Sequence, residues 1–263
     1  MKRHPLALTA AALLFAFALG ACSTNSTGPA SGTLRVHMTD APGDFEQVNL
    51  VVREVAVHIA GADSMGGWEV LSTDSASYDL LTLRNGVFTQ IGKSVIPAGH
   101  YTQIRLKLGP GSNVVVGGIV HPLTVPSGLQ TGLKIVGQFD VPAGGLVDVA
   151  LEFDAERSIH LTGGGNYMLK PVVKAMPFST AGAISGSVLP PGAADWVYAI
   201  VATDTLGATV PGEDGAFLIP VLPSGTYTVA VDAAAGYRDT TLAGVAVTAG
   251  HTTSVGTLTL SPQ

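Results

Sequence analysis

From Thr33 onward, apolar residues recur at every second position in runs too short for anything but strands. Leu34, Val36 and Met38 alternate with polar neighbours before the turn-rich Thr39-Asp40-Ala41-Pro42-Gly43-Asp44. A period of two puts successive side chains on opposite faces of an extended chain. Thr102, Ile104, Leu106 and Leu108 point one way, and Gln103, Arg105 and Lys107 the other. Val147, Val149, Leu151 and Phe153 repeat the pattern against Asp148, Glu152 and Asp154. Antiparallel sheets with one solvated face look like this. Val48, Leu50 and Val52 share one parity while Val55, Val57 and Ile59 share the other, which predicts a β-bulge between Val52 and Glu54. Asn85-Gly86 and Gly117-Gly118 mark turns. Tyr167–Lys174 is the expected last strand of this set, and Tyr78–Leu83 the one short helical turn.

A second set begins near Ala183. Its apolar runs are Ile184–Leu189, Trp196–Ala202, Phe217–Val221, Tyr227–Val231, Val245–Val247 and Val255–Leu260, separated by Gly/Pro/Asp turns. Such spacing predicts a small β-sandwich. The expected fold class is therefore all-β, with two sandwiches over residues 33–178 and 183–263. One pattern recurs in both: Ile96-Pro97-Ala98-Gly99-His100-Tyr101-Thr102 and Leu222-Pro223-Ser224-Gly225-Thr226-Tyr227-Thr228. The apolar parity after the two tyrosines is opposite, so the echo alone establishes two related turns and not a duplication.

The N-terminus carries a different signal. Lys2 and Arg3 precede an apolar stretch from Leu6 to Leu19, too short for a stable membrane span. Leu19-Gly20-Ala21-Cys22 follows and resembles the bacterial lipobox, in which the cysteine is acylated and the peptide cleaved before it. The resemblance implies a lipoprotein signal peptide over residues 1–21, a lipidated Cys22 and a polar tether to residue 32. Ser23 after the cysteine usually accompanies sorting to the outer membrane. The chain has one cysteine; spent on acylation, it leaves none for disulfides, nucleophiles or metal. Without the leader's two basic residues, 11 Lys+Arg face 19 Asp+Glu, a net charge of −8 that disfavours nucleic acid.

Residues 33–174 resemble the lipoprotein family called domain of unknown function 4382. The likeness rests on Thr39–Asp44, Asp79-Leu80-Leu81, Asn85-Gly86, Pro97–Leu106, Val125-Pro126-Ser127-Gly128, Gly132-Leu133-Lys134 and Phe153–Ser158. It implies a bacterial envelope β domain and lends no activity. Residues 183–260 resemble carboxypeptidase regulatory-like, transthyretin-like modules through Asp214-Gly215-Ala216-Phe217, Leu222–Tyr227 and Gly236-Tyr237. This implies an accessory immunoglobulin-like sandwich, related to carbohydrate-binding folds.

No G-x-S-x-G, H-E-x-x-H or P-loop occurs, and no catalytic residue is assigned. Ser158, His160 and Asp154 could form a triad only if folding brought them together. Asp40 and Asp44 flank a Pro-Gly turn, and with Asp154 and Glu156 could hold Ca²⁺. Turn-capping by the same carboxylates explains them without metal, and no other cofactor is implied. Gln103, Arg105 and Lys107 are expected to pair across a sheet with Asp148, Glu152 and Asp154, or to form a polar binding face. Trp196 and Tyr198 share a strand face, and Tyr237 adjoins a Gly turn; the three could stack on sugar rings or fill the core. The reading is a lipid-anchored, non-enzymatic envelope protein that binds or scaffolds glycan or another envelope component. An enzyme or enzyme-accessory role in polysaccharide or peptide processing is the alternative. Cys22→Ser should abolish fatty-acid labelling and release the protein from the membrane fraction; label retained by the variant would contradict the lipobox.

Overall fold

The computed structural model describes residues 30–41, 43–63, 66–126 and 131–263. Cys22, the leader, most of the tether and Ser127-Gly128 lie outside the described residues. Thirteen strands are described up to Pro177. They are β1 (Ser31–Ala41), β2 (Gln47–Ile59), β3 (Trp68–Ser72), β4 (Ala76–Asp79), β5 (Thr89–Pro97), β6 (Gly99–Leu108), β7 (Asn113–Val116), β8 (Ile119–Thr124), β9 (Leu133–Val141), β10 (Leu146–Asp154), β11 (Ile159–Leu161), β12 (Tyr167–Leu169) and β13 (Val173–Pro177). β1 starts at Ser31, one residue before the expected end of the tether.

These strands form two sheets. The smaller has the order β13-β10-β1-β5; the larger runs β11-β12-β8-β7-β2-β6-β9, with β3 and β4 also on β2. Alternate residues of both meet in one core, among them Leu34, Val36 and Met38 of β1, Leu151 and Phe153 of β10, and Ile104, Leu106 and Leu108 of β6. The expected bulge is present: the β2–β6 register shifts between Val52 and Glu54, which carries one strand from one parity to the other. The helical turn is a single 3-10 turn, Leu80–Leu83, where Asp79 accepts from the Leu81 N–H. Two expectations are corrected. Tyr101, not Thr102, lies in the core, because β6 carries an extra residue opposite β2 between Tyr101 and Gln103. Tyr167–Lys174 is two strands: Tyr167–Leu169 joins the larger sheet and Val173–Pro177 the smaller. Pro171 lies between them and has no N–H to continue a ladder.

The second half comprises β14 (Gly182–Leu189), β15 (Ala194–Val201), β16 (Asp204–Thr209), β17 (Ala216–Leu222), β18 (Gly225–Ala233), β19 (Thr240–Val247) and β20 (Thr252–Thr259). They form sheets ordered β17-β14-β20 and β16-β15-β18-β19. A separate core fills the space between, built on Ile184, Val197, Ala199, Ile219, Leu222 and Val229.

The two halves share a topology that the sequence echo only hinted at. In each, the opening strand runs antiparallel to the strand before the Pro-x-Gly-x-Tyr corner and parallel to a late strand. β1 lies between β5 and β10, and β14 between β17 and β20. The facing sheets repeat as β2-β6-β9 and β15-β18-β19, all antiparallel. The corners are chemically equivalent. The Tyr101 hydroxyl donates to the Pro97 carbonyl at 2.8 Å, and the Tyr227 hydroxyl to the Pro223 carbonyl at 2.7 Å. A tyrosine bonded to backbone just upstream locks the passage from one sheet to the other. The opposite parities after the tyrosines follow from the extra residue that β6 carries opposite β2, which β18 lacks opposite β15.

The halves are also joined side chain to backbone. The Leu218 N–H donates to Asn85 Oδ1 at 2.5 Å, and Asn85 Nδ2 donates to the Ala216 carbonyl at 3.3 Å. One amide thus gives the free edge of β17 the acceptor and donor that a neighbouring strand would supply. Gly86 has a φ of +80°, a backbone conformation that favours glycine. Tyr101→Phe and Tyr227→Phe should each cost about 1–2 kcal/mol, because a carbonyl loses its donor. Denaturant unfolding checks this, and no loss in either variant would mean that the corners are not structural.

Candidate functional site: a cleft between the two sandwiches

The outer face of the smaller N-terminal sheet is where the second half docks. At one end of that face, Asp148 accepts from Arg35 Nε and Nη2, each at 2.6 Å, and contacts His37 Nε2 at 2.7 Å. The Arg35 bonds hold its carboxyl below the usual range. At the other end, Glu152 and Lys174 face each other across β10 and β13. The Lys174 ammonium pairs with Glu152 Oε2 and donates to the Leu206 carbonyl of the second half at 2.8 Å. Glu152 is only 5% exposed, and its Oε1 has no partner. Burial pushes its carboxyl up to about 7, against the pull of Lys174. The parity of β10 correctly set Glu152 opposite the core, but that face is covered and not wet.

The expected ion pairs between Gln103, Arg105, Lys107 and Asp148, Glu152, Asp154 do not form, because β6 and β10 belong to different sheets. Arg105 and Lys107 instead hold Glu54 at 3.0 and 2.8 Å. Trp68, which the alternation did not single out, lies over the Arg105 guanidinium, 4.0 Å from carbon to ring centre.

Beside the Glu152–Lys174 contact opens a cleft of about 720 Å³. Asp44, Phe45, Arg84, Asp154, Glu156 and Arg157 line it from the first half, and Asp195, Trp196, Tyr198, Thr205, Val210 and Asp232 from the second. A smaller cavity of about 170 Å³ shares Asp154, Arg157 and Thr205 with it and reaches Glu152, Lys174 and Gly207. Trp196 and Tyr198 point outward from β15 because Val197 and Ala199 point into the core. Their rings are parallel within 7°, with centroids 6.0 Å apart. Asp232 stands directly opposite Trp196 on β18. The Tyr198 phenol is raised by burial first, then by the carboxylates of Asp232, Glu156 and Asp195. Groups on both walls therefore act on one ring. Tyr237 is elsewhere: half-buried against the second core and bridged to Pro262.

Two of the four carboxylates proposed for Ca²⁺, Asp154 and Glu156, have local duties. Asp154 caps the short helix α1 (Ala155–Ser158), accepting from the Arg157 N–H at 2.8 Å, and lies 3.7 Å from the Arg157 guanidinium. Glu156 accepts the Asp44 N–H at 2.9 Å. Asp40 is buried with neither carboxylate oxygen hydrogen-bonded. Burial, then the nearby carboxylates of Asp154, Glu152 and Asp79, push it well above its ordinary range; the Ala155 N–H pulls the other way without closing a bond. Among the described residues, no group of three or more His, Cys, Asp or Glu is placed to hold a metal ion. Ser158 is buried and accepts from the Val172 N–H at 2.8 Å, while His160 is exposed on β11. No hydrogen bond links Ser158, His160 and Asp154 among the described residues.

The architecture is that of an all-β protein of two sandwiches with a cleft at their junction. Residues 31–171, more than half of the chain, match the family described as Domain of unknown function (DUF4382), and the chain belongs to that family. No curated protein matches it. Among solved structures it is similar to a type II cohesin–X-dockerin complex from Acetivibrio cellulolyticus, at 24% identity over 30% of this chain and a TM-score of 0.25. The chain spans 57% of the length of that relative. It is also similar to GBS52, the minor pilin of Streptococcus agalactiae, at 11% identity over 87% of this chain and 96% of that one, TM-score 0.24. A third is the Bacillus anthracis TIE protein, at 12% identity over 88% of this chain and 34% of that one, TM-score 0.25. Likenesses of this size lend no function to the chain.

Glu152 yields a pH prediction. Its folded value of about 7 lies above its ordinary 4.5. Its contribution to stability is therefore full below about pH 4.5 and lost as pH rises through 7. The melting temperature should fall between pH 5 and pH 8, and Glu152→Gln should flatten that slope. An unchanged slope in the variant would place the titration on another group.

Proposed function

We propose that this is a non-catalytic binding protein of the bacterial cell envelope, held on a membrane by an acylated Cys22, whose cleft takes a glycan or other envelope component. The observation that supports binding is the parallel pair Trp196 and Tyr198, which lies outside both cores and turns toward the cleft. Sugar rings have apolar faces that stack on such platforms, and their hydroxyls need acceptors of the kind Asp195 and Asp232 supply alongside. The lipobox supports the envelope and the anchor, and Ser23 after the cysteine favours the outer membrane. The non-catalytic part rests on how Asp154, Glu156 and Ser158 are used: each is engaged with backbone nearby.

Isothermal titration of the soluble chain from Ser23 with a panel of oligosaccharides tests the reading. Trp196→Ala should weaken binding about tenfold or more, with a nearly unchanged melting temperature. A Trp that filled the core would instead cost about 3–5 kcal/mol on truncation. Strong destabilisation with binding intact would overturn the assignment.

A further inference from the structure

We propose that the ligand of this cleft carries a protonated amine, and that the cleft selects an amino-bearing saccharide over its acetylated or acidic counterpart. This rests on the cleft reading above and sharpens it.

The first support is the balance of charge. Five carboxylates line the cleft, Asp44, Asp154, Glu156, Asp195 and Asp232, against two guanidiniums, Arg84 and Arg157. Arg157 is already beside Asp154. On the second wall, Asp195 and Asp232 flank the aromatic pair and face no cation of their own half there; the only basic residue from 183 onward is Arg238, which is not in the cleft.

The second support is where the charge is directed. Carboxylates from both walls act on the Tyr198 phenol, so the negative potential falls on the aromatic platform itself. An indole face attracts cations through its quadrupole, and the carboxylates beside it add to that attraction. A uronate, sulfate or phosphate would meet like charge at the same place.

The third support is where cations are absent. The smaller cavity beside the cleft sets Glu152 and Asp154 against Lys174 and Arg157, so its charge is balanced and the excess of carboxylate lies mainly at the aromatic wall. An ammonium has three donors and no acceptor, the complement of Asp195 and Asp232 beside the aromatic pair. An acetamide is neutral and gains nothing from that charge.

The test is isothermal titration of the soluble chain from Ser23 with three probes: a glucosamine trimer, an N-acetylglucosamine trimer and a galacturonate trimer. The amino trimer should bind about tenfold tighter than the acetylated one, and the galacturonate trimer weakest. The preference should shrink as salt is raised, since screening weakens charge contacts. Asp232→Asn should lower the ratio of amino to acetylated affinity. Equal affinity of the amino and acetylated trimers, or tightest binding of the galacturonate trimer, overturns this inference and leaves the cleft reading standing. No binding of any trimer to the folded protein, or binding unchanged by Trp196→Ala, overturns both.

Discussion

Glu152 occupies a position where a carboxylate is costly. It projects from the outer face of one sandwich, and the second sandwich covers it. A buried carboxylate needs a partner or a proton. Lys174, opposite on the next strand, supplies the partner and uses a further N–H to reach the Leu206 carbonyl across the junction. The desolvation of one acid is thereby coupled to the docking of two domains. Asn85 fastens the same interface at the free edge of β17. With both contacts in place, the outer face of β15 is held opposite the β1–β2 turn and helix α1, and the cleft exists only because of that arrangement.

The shared topology gives the junction its form. Each half is closed by the same corner, in which a buried tyrosine donates to a proline carbonyl four residues back. The outer face of the smaller N-terminal sheet meets the open edge of the second sandwich, where the edge strands β16 and β17 lie. The first half adds β3, β4, β7, β8 and the β11–β12 pair to its larger sheet, and the second half adds only β16. It is β16, the second half's one addition, that carries Leu206 and Gly207 onto Glu152.

Much of this was legible in the residues. The alternation of Leu34, Val36 and Met38 located the core of β1, and the parity switch located the bulge between Val52 and Glu54. The shared face of Trp196 and Tyr198 was readable because they are two apart on a strand. What was not legible depends on contacts between elements distant in sequence. Parity says that Glu152 faces away from its own core; it cannot say that another domain lies there. The charged positions of β6 and β10 looked complementary, yet sheet membership, which no local pattern encodes, gave Arg105 and Lys107 to Glu54 instead. Asn85-Gly86 announced a turn, and the turn's use as an interdomain latch follows only from where β17 lies. Tyr237 shows the converse: a Gly-flanked tyrosine looks like a platform residue in sequence and packs on a core in the fold.

The central claim is that the two sandwiches form one body, so that the cleft between them is a fixed site. Residual dipolar couplings measured on the soluble chain from Ser23 test it directly. Amide couplings from residues 31–177 and from 182–260 should fit a single alignment tensor of one magnitude and orientation. Two tensors of clearly different magnitude would mean that the halves move independently, and would contradict both the junction described around Glu152 and the cleft that depends on it.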